Sequence, residues 1–299
     1  MSEISLEGKT AIVTGAGNGL GRSHAHLLAS LGANVVVNDL GCSVDGSGNS
    51  TSAAETVVAE IKEAGGNAVA NTDSITDRAA VPNIIKTALD AFGGLHIVVN
   101  NAGILRDKSL KKMTDAEWDA VIDTHLTGSY NVTKAAWPIL REQNYGRIVI
   151  TASGSGMFGN FGQTNYGAAK AGLIGFAKAL AAEGAKNNVK TNILCPAAAS
   201  RMTENLMPGQ MLDKIKPEAV SPIVAYMCTE EISTSGAIFE AGAGNFSHAN
   251  WARGKIYKTP NESGVASVDE IAAHFDEIID MSDATVLDNP AAAMGAFMS

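Results

Sequence analysis

Six short apolar runs, each followed by a stretch of helical periodicity, limit what this chain can fold into. Thr10–Val13, Asn34–Asn38, Ala68–Ala70, His96–Asn100, Arg147–Thr151 and Lys190–Leu194 read as strands. A strand with one wet face alternates apolar and polar residues, whereas these runs are nearly continuous, as expected when both faces of a parallel sheet are covered. Between them Arg22–Leu31, Ser52–Ala64, Arg78–Phe92, Asp115–Arg141 and Tyr166–Lys186 carry helical spacing. The repeated β-α order predicts an α/β fold, a doubly wound parallel sheet flanked by helices with right-handed crossovers. The loop Gly41–Ser52 is rich in Gly and Ser and long enough to move.

The pattern changes after Gly244. Residues 1–244 are expected to form one domain and residues 245–299 a C-terminal extension. Asn245–Pro260 has no clear period and reads as an arm. Ser267-Val268-Asp269-Glu270 has capping-box form, and Val268, Ile271, Phe275, Ile278 and Ile279 then follow helical spacing, which predicts an amphipathic helix of three to four turns. The acidity is concentrated here. The whole chain carries a net charge of −9, and from Thr259 onward there are eight acidic residues and no Lys or Arg. The body is left near −1, which disfavours nucleic acid as a partner. No apolar run approaches the roughly 20 residues of a membrane span, and the polar N-terminus does not read as a secretory signal. Cys42, Cys195 and Cys228 have neither disulfide nor metal spacing, and Phe297-Met298-Ser299 is not a peroxisomal address. A reducing cytoplasm and a site without metal are the expectation.

The first predicted strand runs into Thr14-Gly15-Ala16-Gly17-Asn18-Gly19-Leu20-Gly21 and then a helix. Glycines let a backbone turn tightly and approach a pyrophosphate, whose charge is met by N–H groups at a helix N-terminus. Gly15, Asn18, Gly19 and Leu20 are therefore candidate dinucleotide contacts. Asp39 ends the second strand. A carboxylate there can accept both hydroxyls of an adenosine ribose and would repel a 2′-phosphate, so NAD is the expected cofactor; capping of the following loop is the alternative for Asp39. Arg22 favours NADP but lies on the helix. Asp73 and Ser74, after the third strand, are placed near an adenine amino group or else cap the next helix. Asn101, Ala102 and Gly103, after the fourth, permit close backbone approach where open α/β sheets bind ligands.

Tyr166 and Lys170 stand four residues apart, on one face of a predicted helix, with Ser153 thirteen residues before Tyr166. A phenol is an acid of pKa about 10, and a neighbouring ammonium would lower that value.

Together TGAGNGLG, NNAG, Ser153 and Tyr166-x-x-x-Lys170 resemble the short-chain dehydrogenase/reductase family over about Leu6 to Gly244. The strings VVVNDLG, NNAGILRD, YGRI, GNFGQ-NY and SRMT are similar to one group within it, the (3R)-hydroxyacyl-CoA dehydrogenase parts of peroxisomal multifunctional enzymes of type 2. The resemblance implies a Rossmann domain and a catalytic set of Ser153, Tyr166 and Lys170. Tyr166 would exchange the proton and Ser153 would hold the substrate oxygen. Lys170 would grip the nicotinamide ribose and favour the phenolate. It also implies a stand-alone dehydrogenase, with no hydratase or sterol-carrier portion following. His125 occupies a place where many members have Asn in a proton relay; it is either a working replacement or a packed core histidine. Pro196 is an expected cofactor contact, followed by Ala197 where the wider family often has Gly.

Several readings of substrate and assembly follow. Ser200–Pro217, with Met202, Leu206, Met207, Met211 and Leu212, is either a lid over an acyl chain or steroid or an ordinary packed helix pair. Arg106, Lys108, Lys111 and Lys112 form a basic cluster that would meet the phosphates of coenzyme A, or is simply a solvated face. Small residues all round the helix Tyr166–Glu183 suit packing on both sides, and in the resembled family this helix commonly builds a homodimer or homotetramer. Three functions stay open: a (3R)-hydroxyacyl-CoA dehydrogenase, a dehydrogenase of a hydroxysteroid or other secondary alcohol, and a dinucleotide-binding protein without turnover.

Overall fold

The computed structural model describes residues 4–43, 45–48, 52–197, 215–287 and 289–298. The chain divides into two compact units, Met1–His248 and Ala249–Ser299.

The first unit is an eight-stranded sheet flanked by helices. Its elements begin β1 (Thr10–Thr14), α1 (Gly19–Ser30), β2 (Asn34–Asn38), α2 (Ser52–Glu63), β3 (Asn67–Asn71), α3 (Val81–Phe92) and β4 (Ile97–Asn100). They continue α4 (Asp115–Ile122), α5 (Gly128–Glu142), β5 (Gly146–Thr151), α6 (Gly154–Phe158), α7 (Thr164–Gly184), β6 (Val189–Ala197), β7 (Ile238–Gly242) and β8 (Asn245–Ala249). The strand order is β3-β2-β1-β4-β5-β6-β7-β8. Every pairing from β3 to β7 is parallel. The chain moves outward from β1 to β3 and then returns to place β4 on the other side of β1, so the order reverses between β1 and β4. Ligands of such sheets bind beyond the carboxyl ends of the strands at this reversal.

Both faces of the central strands are dry, which explains the continuous apolar runs. Ala11, Val13, Val35, Val37, Ile97 and Val99 join one core with Ala25 and Leu28 of α1 and Val57 and Ile61 of α2. The alternate residues Ile12, Val36 and Val98 are equally buried, and successive side chains of a strand point to opposite faces.

Three expectations change. The segment Asp115–Arg141 is not one helix: a π-helical stretch, Asp123–Thr127, separates α4 from α5. Strands β7 and β8 extend the sheet through residues that carry no recognisable strand pattern, and β8 lies where an aperiodic arm was expected. The described part of the Gly41–Ser52 loop is fastened. Ser43 and Ser47 bond each other's backbone and side chains, Gly46 packs on Ile104, and Arg106 Nε donates to the Asp45 carbonyl at 2.9 Å.

In the second unit Ser267 accepts the Glu270 N–H at 3.1 Å, the expected cap. The Glu270 carboxylate accepts from the Tyr257 hydroxyl at 2.9 Å and is also stabilised by the Ser267 backbone N–H. The helix is shorter than expected, Val268–Ala273, and is followed after His274 by Phe275–Ile278. A two-stranded antiparallel ladder joins Ala252–Arg253 to Thr285–Val286. Among the described residues no helix is long and apolar enough to cross a membrane. Ser200 to Met211 and Leu212, the central part of the segment read as a lid, lie outside the described residues.

Candidate active site

At the sheet reversal the glycine loop is built by contact with the strand beside it. A Cβ on Gly15 would lie 2.7 Å from Ala102 Cα, and one on Gly21 would lie 2.2 Å from the Gly15 carbonyl oxygen. Both positions therefore tolerate only a hydrogen. Asn101 Nδ2 donates to the carbonyls of Thr14 and Gly15 at 3.0 and 3.1 Å, and Thr14 Oγ1 accepts from the N–H groups of Asn101 and Ala102 at 3.0 and 3.1 Å. Gly19, at φ +53°, faces open space instead. Asn18 precedes α1 without a capping bond, and the first turn, with Leu20, holds no acidic residue. This helix N-terminus presents N–H groups and positive dipole to an open space, as a pyrophosphate requires.

Asp39 faces this loop. One carboxylate oxygen accepts the Gly17 N–H at 2.7 Å and the other the Gly41 N–H at 2.6 Å. The carboxylate caps its own loop and touches the glycine turn. Asp73 does not cap α3, which begins at Val81 with Asp77 accepting from Ala79. Its carboxylate accepts from Asn71 Nδ2 at 2.8 Å, and its carbonyl accepts from Asn38 Nδ2 at 3.0 Å. Ser74 bonds the Thr76 hydroxyl at 2.9 Å. Pro196 lies at the carboxyl end of β6, paired with Ala241.

The second cluster is carried by the carboxyl end of β5 and the start of α7. The Ser153 hydroxyl stands near the Tyr166 phenol, where it favours the ionised form, and it accepts the Ser155 N–H at 3.2 Å. Lys170 is 3% exposed, and its Nζ lies 5.5 Å from the Tyr166 ring centroid and donates to the Thr151 carbonyl at 2.5 Å. Burial is the largest influence on both. It pushes the Tyr166 phenol up to about 12 and the Lys170 amine down to about 7. This differs from the expectation that the lysine would lower the phenol: in this pocket loss of hydration disfavours both charges, and the nearby Ser153 hydroxyl offsets it only in part.

His125 sits on the π-helical stretch, its ring perpendicular to that of Tyr166 at 5.1 Å between centroids. Its Nε2 meets the backbone of Ile104, 3.1 Å from the nitrogen and 2.8 Å from the oxygen. Its Nδ1 is buried with no partner among the described residues. Burial, then the Lys170 charge, hold its pKa well below the usual histidine value. It is a neutral ring held at one nitrogen and unsatisfied at the other, so it is not a fully satisfied core histidine. Gly103 leaves it room: an added Cβ would stand 2.2 Å from His125 Cε1.

The sequence reading missed the residues that hold these groups in place. Asn165, fully buried, donates to the carbonyls of Arg106 and Glu117 at 3.1 Å and accepts the Tyr166 N–H at 2.7 Å. Gln163 links Ser155 to Asp107 with bonds of 2.8 and 2.7 Å. A polar pair just before the tyrosine, in GQTNY, is the one signal that pointed to them. Lys108, Lys111 and Lys112 are exposed, and Lys108 forms a bridge with Gln163.

Comparison with known proteins agrees with this geometry. The family model for short chain dehydrogenase matches residues 9–210. A short-chain type dehydrogenase/reductase of Mycobacterium tuberculosis is 50% identical over 94% of this chain and 97% of its own length. The mouse peroxisomal multifunctional enzyme type 2 is 46% identical over 95% of this chain, which spans 38% of that enzyme. The full-length Drosophila melanogaster enzyme of the same name superposes with a TM-score of 0.84 at 40% identity, over 98% of this chain and 49% of its own. A 7α-hydroxysteroid dehydrogenase solved with NADH and a 7-oxo bile acid gives 0.73 at 26% identity, over 82% of this chain and 98% of its own. With two thirds of its length matched by one family model and a relative matched almost end to end, the chain belongs to the short-chain dehydrogenase/reductase family of oxidoreductases.

Proposed function

We propose that the protein is an NAD-dependent dehydrogenase that interconverts a secondary alcohol and a ketone, and that its substrate is a (3R)-hydroxyacyl-CoA. The observation that carries the chemistry is the buried Tyr166 phenol, with the Ser153 hydroxyl near it and the buried Lys170 amine 5.5 Å from its ring centroid. The glycine turn, the open N-terminus of α1 and the carboxylate of Asp39 fit a nicotinamide dinucleotide, with NAD favoured by the charge of Asp39. Such a cofactor, when bound, accepts or returns a hydride. The protein's own residues do the rest. Ser153 holds the substrate oxygen by a hydrogen bond, and Tyr166 takes the hydroxyl proton during oxidation and gives it back during reduction. Lys170, anchored on the Thr151 carbonyl, would orient the ribose. His125, neutral and beside Tyr166, offers its unsatisfied Nδ1 as a further hydrogen-bonding group at this site.

Acyl-CoA is favoured over a steroid by the multifunctional enzymes among the relatives, which are named peroxisomal, and by the exposed lysines 108, 111 and 112 beside the start of α7. The hydroxysteroid reading rests on the bile-acid enzyme and is the second choice. Residues 1–244 would supply the reaction and residues 245–299 an appended arm, in a cytoplasmic homodimer or homotetramer built on α7. A panel of (3R)- and (3S)-hydroxyacyl-CoAs and hydroxysteroids, assayed with NAD, tests the proposal. Turnover of the (3R) thioesters is expected, and Tyr166→Phe should lower kcat/KM by about 10³. Turnover confined to steroids would reject the substrate, and an unimpaired Tyr166→Phe the mechanism.

A further inference from the structure

The cleft beside the glycine turn is lined by Gly17, Asn18, Gly19, Arg22, Ala53 and Glu60, among others. Asp39 reaches its edge: a Cβ on Gly17 would lie 2.8 Å from Asp39 Oδ2 and 2.9 Å from Ala53 Cβ. The carboxylate at the end of β2, the turn and the first residues of α2 thus meet at one point. Arg22 is the basic residue of this wall, and it is already engaged. Its Nε and Nη2 both donate to Glu60 Oε2, at 3.0 and 2.8 Å. The same oxygen is met by His26 Nε2 at 2.9 Å. Glu218 also acts on the guanidinium through space. The guanidinium is thus held by Glu60, while the Asp39 carboxylate stands at the edge of the same cleft on the Gly17 and Gly41 N–H groups.

A 2′-phosphate differs from a 2′-hydroxyl by close to two negative charges, and arginine is the side chain best matched to it, through parallel N–H bonds. We infer that Glu60 is a specificity-determining residue for the cofactor, holding Arg22 against α2 so that the cation in the cleft is withheld from a 2′-phosphate. The inference rests on the dinucleotide reading above and adds a second barrier to NADP beside the charge of Asp39. Asp39 repels the phosphate directly. Glu60 acts through Arg22, by engaging its Nε and Nη2 edge and holding the guanidinium on α2. Arg22 keeps 42% of its side chain exposed in this pair, so it needs no repacking of the core to turn toward the cleft once released.

Calorimetric titration of adenosine 2′,5′-bisphosphate and of 5′-AMP into the wild type and three variants tests this without turnover. The variants are Glu60→Ala, Arg22→Met and the two combined; alanine suits a helix, and melting curves check that each variant is folded. In Glu60→Ala the bisphosphate should bind about tenfold more tightly, the worth of one charge-assisted hydrogen bond, while AMP changes less than about twofold. In the double variant the gain should vanish, and kcat/KM for NADP should follow the same order. A gain that survives Arg22→Met, or no gain in Glu60→Ala, overturns the role of Glu60 and leaves the NAD reading intact. A wild type that prefers the bisphosphate to AMP overturns the NAD reading, and this inference with it.

Discussion

Among the described residues no carboxylate meets the Lys170 ammonium and only the Thr151 carbonyl is within bonding distance, and burial brings its pKa from 10.5 to about 7. In the unfolded chain the lysine keeps its proton up to about 10.5. Between these values the unfolded state binds more protons than the folded one, so stability rises with pH across the window. Below 7 both states are protonated and the folded protein bears the full cost of the buried charge. Lys170→Met, with no proton to bind, should therefore be most favoured relative to wild type below pH 7, and its advantage should fall as pH rises from there. Its advantage should shrink by about 2 kcal/mol by pH 9.5, where each pK unit is worth roughly 1.4 kcal/mol before allowance for residual hydration. Urea denaturation of both proteins without cofactor, at half-unit steps, measures it, and the range stays below the titration of Tyr166 in either state. A gap that does not change with pH would mean that Lys170 is hydrated in the folded protein. Residue types and spacing were legible in the sequence, since Ser153, Tyr166 and Lys170 do meet. Their protonation was not, because it depends on how much water the finished pocket admits.

At the scale of elements, the π-helical stretch does what a continuous helix would not: it sets His125 against the chain leaving β4, with Tyr166 across from it. π-Turns inside helices recur at functional sites. Nothing in WDAVIDTHLTG marks one, as the segment has no break before Gly128, and helical periodicity alone predicts a single rod. Gly103 is the counterpart that admits the ring, with 2.2 Å left between an added Cβ and His125 Cε1. Gly103→Ala should destabilise the fold by about 2 kcal/mol through overpacking. Adding His125→Ala should recover part of that cost, so the double variant should be more stable than the two single losses predict. Thermal or urea unfolding of the four proteins gives the coupling, and additive losses would show that the ring is not what Gly103 accommodates. Strands β7 and β8 illustrate the opposite limit. Ile238–Gly242 and Asn245–Ala249 contain Gly, Glu, Ser and His, and only neighbours in the sheet make strands of them.

Over the whole molecule, the uneven charge seen in the sequence falls close to the division between the two units. From Thr259 onward there are eight acidic residues and no Lys or Arg, so trypsin has no site beyond Lys258. Residues 254–266 form neither helix nor strand, and Lys255 has a side chain 65% exposed. A protease needs a segment that can leave the surface and enter its cleft, and irregular chain does so far more readily than the sheet and packed helices of the first unit. Brief trypsin treatment should therefore release Thr259–Ser299 as one uncut acidic peptide, found by mass spectrometry beside a body ending at Lys255 or Lys258. The body keeps every strand of the eight-stranded sheet and all the candidate site residues. It should still melt in one cooperative step, and NADH at 100 times its Kd should stabilise it by about 2.7 kcal/mol. Cuts scattered through the body at the same rate, or a trimmed body that no longer melts cooperatively, would show that the first unit does not stand alone.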